Sequence, residues 1–225
     1  MRYRLLALDI DGTLLDPEGE IRPRVRQAIQ RAVEAGCLVT LATGRRLHSA
    51  REVANELGLQ MPLILYIGSL IYDTLTEKAL FYQPMPSHFL RQALTLVREA
   101  GLCPTISQSP LRGEYIYLGP SEDDDLYTRK YSEHKSRVAM IRRLSYDELA
   151  LLKDALLISV TGPSKLLPLL TEVLRGRMEC NLYNYALRHK TMADLYGFDL
   201  VQPGVSKGHA LLWLAAHFGI AATEL

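Results

Sequence analysis

The chain has little cysteine, no long apolar run and almost no charge imbalance, and each shortage closes off a class of protein. Its three cysteines, Cys37, Cys103 and Cys180, are odd in number, far apart and without metal-ligand spacing. That usage fits a reducing cytosol and not a disulfide-stapled secreted scaffold. No stretch reaches the roughly 18 apolar residues a membrane span needs. The opening MRYRLLALD has too short an apolar run for a signal peptide. The expectation is a soluble, cytoplasmic protein with no membrane partner. Lys and Arg number 26 against 25 Asp and Glu, a net charge of +1, which gives no general attraction to nucleic acid. Repeats and low-complexity segments are missing too. What remains is ordinary globular material, 48% hydrophobic and 23% charged over 225 residues, enough for one large domain or a core with an insert.

The most informative stretch is LLALDIDGTLL, residues 5–15. An apolar run ends in two acids, Asp9 and Asp11, and Gly12 then permits a tight bend. The run suits a strand buried on both faces, as in a parallel sheet. In an extended chain residues i and i+2 point the same way, so both carboxylates converge on one small volume. Adjacent acids repel, which favours a bound cation or a division of labour between them. An acidic turn would explain Gly12 but not the paired acids directly behind an apolar strand.

The following residues alternate. A helix is expected from Pro23 to Gly36, with Val25, Ile29, Ala32 and Val33 on one face. A strand follows over 37–42, closing on Thr43-Gly44-Arg45. Next come a helix from Leu47 to Gly58 and a strand over 62–67. This spacing predicts right-handed crossovers and a doubly wound parallel sheet with helices on both faces. After a hairpin around Asp73-Thr74 the pattern changes. Residues 84–190 read as an inserted α+β unit of adjacent helices and hairpins, leaving 1–83 and 191–225 as the α/β core. Near the end Ser206 is placed as the N-cap of a helix over 208–218, which Gly219 ends.

Three candidate sites stand at element junctions: Asp9 with Asp11, Thr43 with Gly44, and Lys207. In an open parallel sheet the carboxyl ends of the strands line one crevice, where ligands bind. Thr43 and Gly44 offer a hydroxyl and backbone N–H groups at a helix start, which suits an anion, although an ordinary N-cap, taken alone, explains them slightly better. Lys207 in a first helical turn opposes the macrodipole at a cost of a few tenths of a kcal/mol. An anion held nearby would offset that cost, and lysine is a common phosphate binder.

DIDGT at 9–13, ATGR at 42–45 and PGVSKG at 203–208 resemble the first three motifs of the haloacid-dehalogenase-like phosphatases. The insert resembles the cap of the Cof-type subfamily. The resemblance implies a Rossmann-like core with an inserted α+β cap and a Mg2+-dependent phosphatase acting on a small phosphorylated metabolite, sugar phosphates first. It implies that Asp9 is the nucleophile, forming an aspartyl phosphate. Asp11 is implied to protonate the leaving oxygen and then activate water. Thr43, Gly44 and Lys207 would hold the phosphoryl group, Asp9 and the backbone carbonyl of Asp11 would bind the metal, and Arg45 would touch substrate. A phosphosugar mutase on the same fold, or a catalytically incomplete binder of a phosphorylated ligand, are the alternatives.

Two departures stand out. The family's fourth motif, Gly-Asp with a further acid a few residues on, is expected after Gly219-Ile220, and residues up to Leu225 do not contain it. A longer natural chain is therefore expected. At Tyr66-Ile67-Gly68-Ser69, relatives often carry Asn where Ile67 stands. The other chemistry-bearing residues have bland readings. Histidines 48, 88, 134, 189, 209 and 217 lack metal-ligand spacing. The run Glu122 to Asp125 suits the positive end of a helix. Tyr115, Tyr117, Tyr183 and Tyr185 alternate on strands, while Arg142-Arg143 and Arg188-His189-Lys190 read as solvated runs.

Overall fold

The computed structural model describes residues 3–135, 140–186 and 195–225. The run Arg188-His189-Lys190 lies outside the described residues. In order, the elements are β1 (Leu5–Leu8), α1 (Pro23–Glu34), β2 (Leu38–Leu41), α2 (Leu47–Leu57), β3 (Leu63–Leu65), β4 (Leu70–Asp73) and β5 (Lys78–Tyr82). Then come α3 (Ser87–Glu99), β6 (Pro104–Gln108), β7 (Ile116–Leu118), α4 (Leu126–Lys135), β8 (Ile141–Arg143) and α5 (Tyr146–Leu149). The last are β9 (Ala155–Pro163), α6 (Leu166–Arg177), β10 (Asn181–Ala186), β11 (Leu195–Val201) and α7 (Lys207–His217). Two compact units result, one running to Gln83 and resuming at Val205, the other spanning Pro84–Gly204.

In the first unit β1 and β2 pair in parallel, Leu5 opposite Leu38 through Leu8 opposite Leu41. A parallel bridge, Ala42 to Ile64, brings in β3, and β4 and β5 follow antiparallel. The two-residue alternation of a strand divides β1 between two layers. Leu5 packs with Ala215 and Ile220, and Ala7 with the cluster of Ala42, Ile64, Ile71, Ala210 and Leu214, so this face meets α7. Leu6 and Leu8 face the other way, lining an apolar hollow with Leu14, Val25 and Ile29 of the α1 side. The α/β fold with helices on both faces is thus present. Burial of β1 on both faces is not: Leu6 remains 38% exposed, and among the described residues β1 has β2 as its strand partner.

The strand expected over 62–67 stops at Leu65. Tyr66 (φ 49°), Ile67 (φ 61°) and Gly68 (φ 104°) are all left-handed. For the two non-glycine residues that costs about 1–3 kcal/mol each. Burial of both side chains, Tyr66 and Ile67, offsets it by a similar amount. The turn is tied down by Tyr66 N–H donating to Arg45 O (3.3 Å) and Ile67 N–H to Thr43 O (3.0 Å).

The second unit is a six-stranded sheet in the order β10-β11-β9-β6-β7-β8. Its return point corrects the expectation of 191. β11 lies between β9 and β10, with Phe198 opposite Val160 and Asn184, and the unit continues to Gly204. Fully buried Phe198 and Leu200 complete this sheet's apolar face, and such alternation does not reveal which sheet a strand joins. Arg142-Arg143 is exposed, as a solvated run is. It forms β8, where Arg143 makes a fork on Asp124 (3.0 and 2.6 Å) and Arg142 lies 3.6 Å from the centre of the Tyr115 ring. The acidic run does start a helix, since Asp125 accepts from Thr128 N–H at 2.6 Å as an N-cap does. Ser145 and Glu148 form a reciprocal capping box at α5.

Candidate active site

The carboxyl ends of β1 and β2 lie side by side, since Ala42 N–H donates to Leu8 O at 2.8 Å. Asp9 keeps an extended backbone (φ −77°, ψ 149°) just beyond β1. Its Oδ1 accepts from Ile10 N–H at 2.8 Å. Its Oδ2 accepts from Lys207 Nζ at 2.6 Å. Gly12, at φ 75°, then reverses the chain, as only glycine does without strain. Leu15 N–H closes the bend on Ile10 O at 3.1 Å. Ile10 and Leu14 anchor this turn in the interior, which leaves the Asp11 side chain outside and 62% exposed.

Asp11 is held from β2's end. Arg45 Nε donates to its Oδ2 at 2.9 Å and Nη2 to its Oδ1 at 2.7 Å. Each of the two acids therefore has its own cation, Lys207 for Asp9 and Arg45 for Asp11.

Thr43 is fully buried and its hydroxyl oxygen accepts from Arg45 N–H at 3.1 Å. Thr43 and Gly44 are not at a helix start, because α2 begins at Leu47 after Arg46. The Thr43 N–H is already donated to Ile64 O at 2.9 Å, so it is not offered to an anion. Neither the helix-start reading nor the N-cap reading of this pair holds.

Lys207 is the first residue of α7. Ser206 precedes it as the N-cap, its hydroxyl accepting from His209 N–H at 3.0 Å. The cost of a cation at that end is offset by the Asp9 carboxylate. The seat of α7 is set by Gly68, where a Cβ would stand 2.3 Å from Ser206 O. Sequence reasoning missed Gly68. Its signal was a glycine directly after a fully apolar strand, where close backbone approach is a standard reason for the residue. It also missed Ser49, which accepts from Arg45 Nη1 at 3.3 Å.

Among the described residues no group of three or more His, Cys, Asp or Glu could hold a metal ion. Asp9 and Asp11 alone still suit a hard cation that takes one or two carboxylates and keeps several waters. Just beyond the site, Asp16 lies below the usual carboxylate range, chiefly because Glu20 N–H donates to it. No described helix is long and apolar enough to cross a membrane.

A family model described as haloacid dehalogenase-like hydrolase matches residues 6–225. Similar curated proteins include an HMP-PP phosphatase of Serratia proteamaculans, 42% identical over 71 residues, 32% of this chain and 26% of that one. A pyridoxal phosphate phosphatase of Escherichia coli is 34% identical over 99 residues, 44% of this chain and 36% of that one. The matches thus span about a quarter to a third of those relatives' length. Among solved structures, a haloacid dehalogenase-like hydrolase from Bacteroides thetaiotaomicron superposes with TM-score 0.73 at 23% identity, over 99% of this chain and 79% of that one. A subclass IIB sugar phosphatase does so with TM-score 0.74 at 19% identity, over 97% and 77%; these two likenesses speak to the fold. With its model matched over nearly the whole sequence, the chain belongs to the haloacid dehalogenase-like hydrolase family.

Proposed function

We propose that the protein is a phosphatase of small phosphorylated metabolites, sugar phosphates first, working through an aspartyl phosphate on Asp9. The observation that carries this reading is the Lys207–Asp9 contact of 2.6 Å, with a second carboxylate two residues on. A carboxylate approaching a phosphate dianion meets like-charge repulsion, so positive charge must be present where it attacks. Lys207 supplies it. Asp9 and the backbone carbonyl of Asp11 would hold Mg2+, whose oxygen preference fits this donor set and which would supply further charge neutralisation. Thr43 and Gly44 would line the phosphoryl position through the Thr43 hydroxyl and the Gly44 backbone. The cytoplasm is the proposed location.

The step at Asp9 is a nucleophilic displacement. Asp9 Oδ bonds to phosphorus, the bond to the leaving oxygen breaks, and that oxygen keeps the electron pair and takes a proton from Asp11. Water then attacks phosphorus and gives its proton to Asp11, and the Asp9–phosphorus bond breaks to release inorganic phosphate. The test is phosphate release from an aryl phosphate, with and without Mg2+, by the wild type and by Asp9→Asn. Metal-dependent release that disappears in the variant is expected. Undiminished release by a folded Asp9→Asn protein would remove the assignment.

A further inference from the structure

We infer that Arg45 is a positioning residue for Asp11 and not a substrate contact; this rests on the phosphatase reading above. The resemblance gave Arg45 to the substrate, but the geometry gives it other work. An arginine recognises an oxyanion best through a two-nitrogen fork, and the fork of Nε and Nη2 is already filled by Asp11. Nη1 donates to Ser49 Oγ. The residue is also fixed at both ends of its backbone, its N–H on the Thr43 hydroxyl and its carbonyl accepting from Tyr66 N–H.

Asp11 is in the opposite condition. Its side chain is 62% exposed, against 27% for Arg45. Among the described residues the guanidinium is the one group that hydrogen-bonds its carboxylate. Beside it stands Gly12, which has no side chain to pack against it. Without the fork, two torsions of Asp11 are free. With it, the carboxylate plane is set by the planar guanidinium, and each oxygen keeps a second lone pair directed away from Arg45. There Asp11 would carry the proton that the leaving oxygen takes, the O–H bonding pair staying on the carboxylate, and misplacement of such a group is costly to rate.

The anchored Arg45 is in turn registered to β3 by the left-handed turn at Tyr66-Ile67. The strain there serves to hold Thr43 and Arg45 at one height beside Asp11. The chain Tyr66–Arg45–Asp11 thus carries backbone rigidity to an exposed acid–base group.

Arg45→Lys keeps the charge and removes the fork. In single turnover it is expected to slow phosphoryl transfer from an alkyl phosphate such as glycerol phosphate by about 10²-fold, the lower range for lost general acid catalysis. Transfer from p-nitrophenyl phosphate, whose leaving group needs no proton, should fall by less than about 5-fold by the same reasoning. KM should stay nearly constant for both. A raised KM with unchanged kcat, or equal losses on the two substrates, would overturn the proposal. A second readout needs no turnover, so it stands even if the wild type hydrolyses neither ester and the phosphatase reading fails. Three-bond couplings across the Asp11 side chain should report one rotamer in the wild type and averaging in Arg45→Lys; one rotamer in both proteins would overturn the proposal.

Discussion

Lys207 Nζ meets Asp9 Oδ2 at 2.6 Å although the two residues stand 198 positions apart. Their side chains are 31% and 38% exposed, so water screens the pair and its worth to stability is small, about 0–1 kcal/mol. Its worth to a reaction in which charge develops is larger. Lys207→Met is expected to change the urea midpoint little while lowering kcat/KM by about 10²-fold or more. A large loss of stability with activity retained would show that the pair is structural.

Gly68 separates two effects, since its φ of 104° disfavours a side chain and a Cβ would lie 2.3 Å from Ser206 O. The struck atom is backbone and cannot rotate away. Gly68→Ala should therefore destabilise the protein by about 3 kcal/mol or more, beyond the usual range for a single methyl. Thermal unfolding measures this, and a shift within experimental error would mean that α7 is free to move.

Thr43→Val keeps shape and burial but removes the acceptor of the Arg45 N–H. A donor left without a partner costs about 1–3 kcal/mol when buried, and about 1 kcal/mol is expected at this half-buried site. Urea unfolding should show that loss, and Thr43→Ser should restore most of it. Failure of serine to restore it would assign the effect to the methyl group.

Tyr146 gives the second unit an alkaline limit. Burial raises its hydroxyl to about 12 from an ordinary 10.0, with Arg98 stacked 3.6 Å from the ring centre. A group whose folded value is raised contributes stability fully below its unfolded value, lost as pH climbs to the folded one. Wild type should lose stability between about pH 10 and 12 relative to Tyr146→Phe, which keeps the ring. Parallel curves for the two proteins in that window would refute it.

Much of this was legible beforehand because it follows local rules. The acids after β1, Pro23 at the start of α1 and Ser206 before α7 are short-range signals. The left-handed Tyr66-Ile67 was not legible, since its local conformation is unfavourable and is supported by burial and by carbonyls of Thr43 and Arg45. The return to the core was placed at 191 and not at Val205 because β11 pairs with β9 and β10, and strand pairing between distant segments leaves no local signal. Arg45 was given to substrate by resemblance to a family arginine, and its fork on Asp11 was not legible because the two residues stand far apart in the chain.

The core clusters of the first unit draw on both sides of the insertion: Leu5, Ala42, Ile64 and Ile71 are covered by Ala210, Leu214 and Ala215. During synthesis those strands leave the ribosome while their cover is still untranslated. At about 5–20 residues per second the wait is on the order of ten seconds. The nascent chain thus shows a greasy sheet surface that a chaperone can grip. Arrested chains stopped at Gly204 should be cut readily by protease and become resistant once Ile220 has emerged; equal resistance at both lengths would rule this out.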